Sequence, residues 1–167
     1  LESEGVDQEI LDILRLRGRA RADEYQRVEW NGFATKASKR RGDSVTIGVA
    51  GKYTNLPDAY ASIIKALEHA EVLHDVGVKI RWLETSDIED GKQTVEEALK
   101  DIDGLIVPGG FGKRGVEGKI ACAKYAREKN IPYLGICLGF QVALIEFARS
   151  VCGLKDAHTT EIVSDTK

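Results

Sequence analysis

The chain has 167 residues, of which 43% are hydrophobic and 31% charged, and its formal net charge is -3. This composition suits a globular domain with an appendage and enough apolar residues for a core. The weak negative charge gives no reason to expect nucleic acid or an anionic membrane as a partner, and no apolar run approaches the roughly 20 residues of a membrane-spanning helix.

The three cysteines, Cys122, Cys137 and Cys152, lack metal-ligand spacing, so we expect no metal site. Free thiols without a signal peptide favour a cytoplasmic location. Cys122 and Cys152 fall in helical patterns, which predicts packing roles for both. The chain starts at Leu1, contains no Met and ends without a terminating feature, so we expect an excerpt of a longer protein.

Residues 5–16 carry one apolar stripe and predict a short helix. Residues 15–41 hold nine basic and three acidic residues, with Gly18, Gly32 and Gly42 interrupting any long periodicity. A basic stretch can contact phosphate, but interleaved aromatic residues are missing here, so a solvated linker is the favoured interpretation.

From residue 45 onward, apolar strands alternate with amphipathic helices. The predicted strands are 45–49, 78–83, 104–107 and 132–136. The predicted long helices are 57–74, 116–129 and 138–151, and Asn55 and Pro57 introduce the first of them. A polar loop follows the second strand, and after it a capping box of Thr94 and Glu97 opens a short helix. Strands separated by helices imply right-handed crossovers. The predicted fold is α/β, a three-layer open parallel sheet with helices on both faces.

Cys137 lies between Gly135 and Gly139, where a predicted strand ends and a helix begins. Flanking glycines permit a sharp corner between strand and helix, which directs the Cys137 side chain out of the sheet. The side chain then lies at the amino end of the helix, where free N–H groups stabilise negative charge. A small buried cysteine closing an apolar strand is the alternative. The corner also lies at the carboxyl ends of the strands, where parallel sheets place their sites.

The loop after Val107 contains Gly110, Gly112 and Gly115 in dinucleotide-fingerprint spacing. The acidic residue expected about 20 positions further on is missing, which disfavours nucleotide binding. We expect instead that the loop turns the N–H of Gly110 towards Cys137, so that it and the N–H of Leu138 form an oxyanion hole. A flexible loop with no donor role remains the alternative.

Residues 108–112, 135–141 and 159–161 together resemble class I glutamine amidotransferases. The resemblance implies a flavodoxin-like sheet, incomplete at the carboxyl terminus, in which Cys137 is the nucleophile that forms a glutamyl thioester and releases ammonia. It makes Gly110 and Leu138 the oxyanion donors. It further assigns the glutamine site to Gly110, Phe111, Leu138, Gly139, Phe140, Gln141 and Glu161, with Glu161 on the substrate ammonium. Without the resemblance, Gln141 and Glu161 would be interpreted as ordinary polar surface residues.

Residues 51–60, 113–120 and 153–157 resemble the branch of this family that aminates UTP. By that resemblance, residues 1–44 are the end of a synthase domain and an interdomain linker, and residues 45–167 are the first part of the amidotransferase domain. UTP, ATP and Mg²⁺ would bind the synthase domain, with no cofactor in this chain. Arg114 would respond to GTP as activator, and the full-length protein would be a homo-oligomer. Phe140 replaces the Met that is common in the family.

The family's base is a histidine followed two residues later by a glutamate, and we expect it downstream of Lys167. His69 and His74 do not share a helix face, and His158 is expected to be a loop residue. The chain alone should therefore be inactive. Two alternatives stay open: another hydrolase with a cysteine at a strand-to-helix corner, and a non-catalytic interaction module.

Overall fold

The computed structural model describes residues 4–17, 24–37, 41–52, 54 and 57–164. The chain divides into two compact units, Leu1–Lys39 and Arg40–Lys167. Asn55, part of the predicted start of a helix, lies outside the described residues. None of the described helices is long and apolar enough to cross a membrane.

The first unit contains two helices, α1 (Val6–Ile13) and α2 (Glu24–Ala37). The first was predicted. The second was not predicted: its 14 residues fall within the stretch 15–41, which was expected to lack long periodicity. Gly32 lies inside α2 and costs a helix only about 1 kcal/mol, and the rings of Trp30 and Phe33 stack one turn apart, with centroids separated by 5.6 Å.

The second unit alternates strands and helices. In chain order they are β1 (Ser44–Gly51), a 3-10 turn (Pro57–Tyr60), α3 (Ala61–His74), β2 (Gly77–Glu84), α4 (Thr85–Glu89), α5 (Val95–Ala98), β3 (Gly104–Val107), α6 (Val116–Glu128), β4 (Tyr133–Gly135) and α7 (Leu138–Ser150). Each predicted strand and helix is present. The capping box is confirmed, since the Thr94 hydroxyl accepts from the Glu97 N–H and the Glu97 carboxylate from the Thr94 N–H, both at 3.3 Å.

One helix was missed in the second unit. The polar loop predicted after β2 begins with α4, five residues that carry no long apolar stripe. Its backbone lies so close to α6 that a Cβ at Gly118 would overlap the carbonyl oxygen of Thr85. Packing against α6 therefore defines this helix, and local sequence does not reveal it.

The four strands form one parallel sheet in the order β2-β1-β3-β4. On one face Ala50, Leu83, Leu105 and Val107 pack with Leu99 after α5 and with Cys122 and Ala126 of α6. On the other face the Trp82 ring lies 5.3 Å from the Tyr60 ring, and Ile64 and Leu67 of α3 line a groove with Val78 and Ile80. Helices cover both faces, as the predicted fold class requires.

The strand order reverses direction between β1 and β3. In parallel sheets such a reversal opens a crevice at the carboxyl ends of the strands, and ligands bind there. Lys52 follows β1, the glycine-rich loop of residues 108–115 follows β3, and Cys137 follows β4. The fold therefore places these three segments at one edge of the sheet.

Candidate active site

Cys137 occupies a strained corner between β4 and α7. Its backbone has φ 54° and ψ -111°, a conformation that residues with a side chain adopt only at a cost of about 1–3 kcal/mol. The thiol is exposed. Gly135 is required at this corner, because a Cβ there would lie 2.6 Å from the backbone of Gly139. The sharp turn and the outward-facing thiol agree with the sequence interpretation.

The start of α7 rests directly on the end of β3. Gly139 is buried, and a Cβ at this position would overlap the carbonyl oxygen of Val107. The Tyr133 hydroxyl donates to the carbonyl oxygen of Gly139 at 2.7 Å, and burial raises the pKa of this phenol. The position of Cys137 is thus fixed by backbone contacts on both sides of the corner.

The glycine-rich loop comes equally close to the corner. A Cβ at Gly109 would lie 3.3 Å from the Cβ and 3.8 Å from the Sγ of Cys137. Gly112 and Gly115 have φ of 79° and 77°, in the left-handed region that favours glycine. Larger residues at these positions would displace the loop, so its glycines serve close approach.

Two basic residues tie this loop to the end of β1. The Lys52 ammonium donates to the carbonyl oxygen of Phe111. The exposed Arg114 donates to the carbonyl oxygen of Lys52 at 3.2 Å. These hydrogen bonds join the carboxyl ends of β1 and β3, on either side of the crevice.

A cleft of about 230 Å³ opens beside the loop. It is lined by Gly110, Phe111, Gly112, Leu138, Glu161 and Ile162. Four residues predicted for the glutamine site therefore share one cleft. A fifth, Gln141, donates from Nε2 to the Glu161 carboxylate at 3.2 Å.

The residues that line the cleft do not include Cys137, Gly139, Phe140 or Arg114, which were also predicted for the site. Gly139 is buried against β3, and Phe140 is 58% exposed. Arg114 contacts Lys52 behind the loop. Within the described part of the chain, the N–H groups of Gly110 and Leu138 donate no hydrogen bond. Their roles as oxyanion donors stay a prediction.

Lys119 was missed by sequence reasoning. Its side chain is 2% exposed, and its ammonium donates to the carbonyl oxygen of Pro108 at 3.0 Å. Burial, assisted by the charge of Lys52, lowers its pKa to about 8. The signal was present, because Lys119 follows Val116 and precedes Ala123 at spacings that belong to the apolar face of α6.

The histidines contact other parts of the domain. His158 lies in the loop after α7, where Nδ1 accepts from the Thr159 N–H at 2.9 Å and Nε2 lies 3.8 Å from Glu117. The spacing of the family's base, a histidine followed two residues later by a glutamate, also occurs within this chain, at His69 and Glu71 of α3. The Glu71 carboxylate accepts from the N–H of Val78 at the start of β2, so this pair lies towards the amino ends of the strands and away from Cys137.

The other two thiols differ from each other. Cys122 is buried, and burial raises its pKa to about 12, in line with the predicted packing role. Cys152 is exposed in the turn after α7, so the prediction of a packing role there is wrong. Among the described residues, no group of three or more His, Cys, Asp and Glu side chains could hold a metal ion.

Comparison with known families gives the class of protein. The model of the family described as glutamine amidotransferase class-I matches residues 55–166. The chain belongs to this family. A solved structure with the same fold is the Trypanosoma brucei CTPS glutaminase domain with bound acivicin, with a TM-score of 0.67 and 40% identity over 74% of this chain and 48% of that chain.

Within the family, the whole chain is similar to CTP synthases. It is 49% identical over 166 residues to the CTP synthase of Methanopyrus kandleri, covering 99% of this chain and 30% of the relative. It is 45% identical over 167 residues to that of Bacillus subtilis, covering 100% of this chain and 30% of the relative. The chain thus spans about 30% of the length of these relatives.

Proposed function

We propose that this chain is the glutamine-hydrolysing part of a CTP synthase, with Cys137 as the nucleophile. The observation that carries the proposal is the strained, exposed Cys137 at the start of α7, packed against Gly109 and next to a cleft lined by Gly110, Leu138 and Glu161. Strained backbone at an accessible nucleophile is a feature of functional sites, because the fold maintains it at a cost in stability.

In the proposed reaction, the Cys137 sulfur attacks the side-chain carbonyl carbon of glutamine. The carbonyl oxygen becomes an oxyanion that accepts hydrogen bonds from the N–H groups of Gly110 and Leu138. When the carbon–nitrogen bond breaks, the nitrogen takes up a proton and leaves as ammonia, and a thioester remains. Water then hydrolyses the thioester to glutamate and regenerates the thiol.

The rest of the site would hold the amino-acid end of the substrate. Glu161 carries the negative charge that suits the α-ammonium group, and the hydrogen bond from Gln141 orients this carboxylate. Phe111, at 87% exposure beside the cleft, would cover the bound glutamine together with Phe140. Gly139 contributes through the close packing that aims the corner.

The wider assignments extend the names of the relatives to this protein. Ammonia would pass to a synthase domain that aminates UTP with ATP and Mg²⁺, in a homo-oligomeric enzyme, and GTP would activate the reaction through Arg114. The free thiols of all three cysteines suit a reducing cytoplasm. None of the ATP, Mg²⁺ or UTP sites is proposed to lie in residues 1–167.

The chain alone should release at most traces of ammonia from glutamine. A nucleophile without its general base loses a factor on the order of 10² or more in rate. His158 is engaged with Glu117 and Thr159, and we therefore place the base outside this chain. Rapid ammonia release by residues 1–167 alone would contradict this.

Covalent trapping tests the nucleophile. In the protein as encoded, with any segments that flank residues 1–167, we expect acivicin to modify Cys137 and glutamine to protect it. Cys152, which is exposed but outside the site, is the internal control and should show no protection. Peptide mass spectrometry reads both sites. Labelling of Cys152 and Cys137 alike, or no effect of glutamine, would count against a glutamine site.

Ammonia release by the same protein tests the reaction. Cys137→Ala should abolish it, whereas Cys152→Ala should leave it unchanged. A protein that hydrolyses p-nitrophenyl acetate but not glutamine would instead be another thiol hydrolase. One that reacts with neither would be an interaction module.

A further inference from the structure

Lys119 is a fully buried cation without a carboxylate partner in the described part of the chain. Its side chain is 2% exposed, and no described ion pair includes it. Burying an unpaired charge is costly, and a methionine would fill similar space without that cost. Packing alone therefore does not account for a lysine at this position.

The Lys119 ammonium contacts the glycine-rich loop. Its ammonium donates to the carbonyl oxygen of Pro108 at 3.0 Å and would lie 3.6 Å from a Cβ at Gly110. The peptide bond between Pro108 and Gly109 is trans, so its C=O and N–H point in opposite directions. Holding this carbonyl fixes the plane of the peptide that leads into Gly109 and Gly110.

The Lys119 ammonium lies close to the nucleophile, because the loop that it holds also contacts Cys137: a Cβ at Gly109 would lie 3.8 Å from the Cys137 Sγ. The groups that act on the ammonium are Lys52 beyond β1, Cys137 at the start of α7 and Cys122 on α6. Lys52 repels it, and Cys122 stays neutral because burial raises its pKa to about 12. Among these groups, only Cys137 belongs to a site where negative charge develops, on the sulfur or on the oxygen that it attacks.

We propose that Lys119 is a positioning residue for glutamine hydrolysis: its buried ammonium fixes the Pro108 peptide behind the glycine-rich loop and supplies positive charge near the anion formed at Cys137. This inference rests on the proposed function. Because Lys119 lies behind the loop, it acts on the reaction through Gly109 and Gly110 and does not contact the substrate.

Steady-state glutamine hydrolysis by the protein as encoded tests this role. Lys119→Met keeps the bulk of the side chain but removes its charge and its donor. We expect kcat to fall by roughly 10- to 100-fold, as for a misplaced or missing oxyanion donor, with KM for glutamine changed less than about 3-fold. Lys124→Met, the same substitution at a lysine of α6 whose side chain is 52% exposed, is the control and should leave kcat within about 2-fold.

The pH profile separates this role from a merely structural one. Since the pKa of Lys119 is about 8, its charge is lost as pH rises through 8, and kcat of the wild type should decline above that pH. In Lys119→Met this decline should be absent. Equal kcat and the same decline in both proteins would overturn the proposal.

A second variant covers the case in which Lys119→Met does not fold. Lys119→Gln retains a donor without charge, and it should show at least about 5-fold lower kcat without the alkaline decline. Wild-type kcat with the decline retained would overturn the role of the charge. If the wild type itself released no ammonia, the proposed function would have failed, a result distinct from an active wild type with an equally active Lys119 variant.

Discussion

The guanidinium of Arg127 donates two hydrogen bonds to the carboxylate of Glu146, at 2.8 and 2.9 Å, and so joins α6 to α7. Glu146 is 3% exposed, whereas Arg127 remains 37% exposed. Lys119 lies on α6 and Cys137 immediately precedes α7, and the shared core of the two helices includes Ile120, Val142 and Ile145. This ion pair therefore holds together the two helices that follow the glycine-rich loop and the nucleophile corner.

Removing either partner should destabilise the domain unequally. Glu146→Ala should lower the free energy of unfolding by about 2 kcal/mol, since hydrogen bonds to a charged group are lost. Arg127→Ala should lower it further, because a buried carboxylate is left without its charged partner. Urea denaturation measures both. Glu68→Ala, which breaks an exposed pair with Lys65 on α3, is the control and should change little. A larger loss of unfolding free energy in Glu146→Ala than in Arg127→Ala would contradict this prediction.

The contribution of Glu146 should depend on pH. Hydrogen bonds from Arg127 hold the pKa of this carboxyl below its ordinary value of 4.5. A lowered pKa in the folded state stabilises the protein above the unfolded-state pKa, and this stabilisation is lost as pH falls through the folded-state pKa. The stability difference between wild type and Glu146→Gln should thus be constant near pH 7 and shrink below pH 4.5. Denaturation curves at several pH values test this, and an unchanged difference at low pH would refute it.

Close backbone packing should make substitution by alanine far more destabilising at Gly118 than at Gly32. A Cβ at Gly118 would overlap the carbonyl oxygen of Thr85, so Gly118→Ala must separate α6 from α4 and should cost about 3 kcal/mol or more. Gly32 lies within α2 with nothing within 4 Å of its Cβ position, so Gly32→Ala should be neutral or stabilising by up to about 1 kcal/mol. Thermal unfolding of the two variants measures the contrast. Similar effects at both glycines would show that α4 is not packed as described.

Local sequence accounts for most of the second unit because periodicity and capping are local signals. The bounds of β3 and the capping box at Thr94 were predicted as they occur. Two helices were missed for different reasons. A glycine and the lack of an apolar stripe hid α2, whereas α4 depends on packing against α6, about 30 residues further on. Sequence patterns carry no information about such tertiary contacts.

In the candidate site, too, features set by neighbouring residues could be predicted, whereas contacts between distant residues could not. The corner at Cys137 could be anticipated because two glycines and the strand-to-helix change are adjacent in sequence. The hydrogen bond between Gln141 and Glu161 joins residues 20 positions apart, and only a family resemblance placed them together. Lys119 was not anticipated at all, since a lysine on an apolar helix face contradicts the rule that charges avoid the core.

An apolar stripe on α7 should make the isolated chain bind hydrophobic dyes. Phe140, Leu144, Phe147 and Val151 are all exposed and recur at helical spacing along one face. Contiguous patches of this kind mark association surfaces. Replacing Leu144 and Phe147 together by lysine should lower ANS fluorescence and self-association, read by light scattering. The matched control is Leu73→Lys on α3, an exposed leucine outside this stripe, and an equal effect there would argue against a continuous patch.

Because the backbone at Cys137 is strained, glycine should be more stable than alanine at this position, the reverse of their usual order. At φ 54° and ψ -111°, any side chain is unfavourable, so Cys137→Gly should be more stable than Cys137→Ala by about 1 kcal/mol after allowing for the greater backbone entropy of glycine. Both variants lack the thiol and should lack glutamine hydrolysis. The same two substitutions at Cys122, inside α6, should have the opposite order, with glycine about 1 kcal/mol less stable than alanine. Chemical denaturation of the four variants provides the comparison. If glycine were the less stable residue at both positions, the backbone at Cys137 would not be strained, and the fold would not be maintaining this corner at a cost.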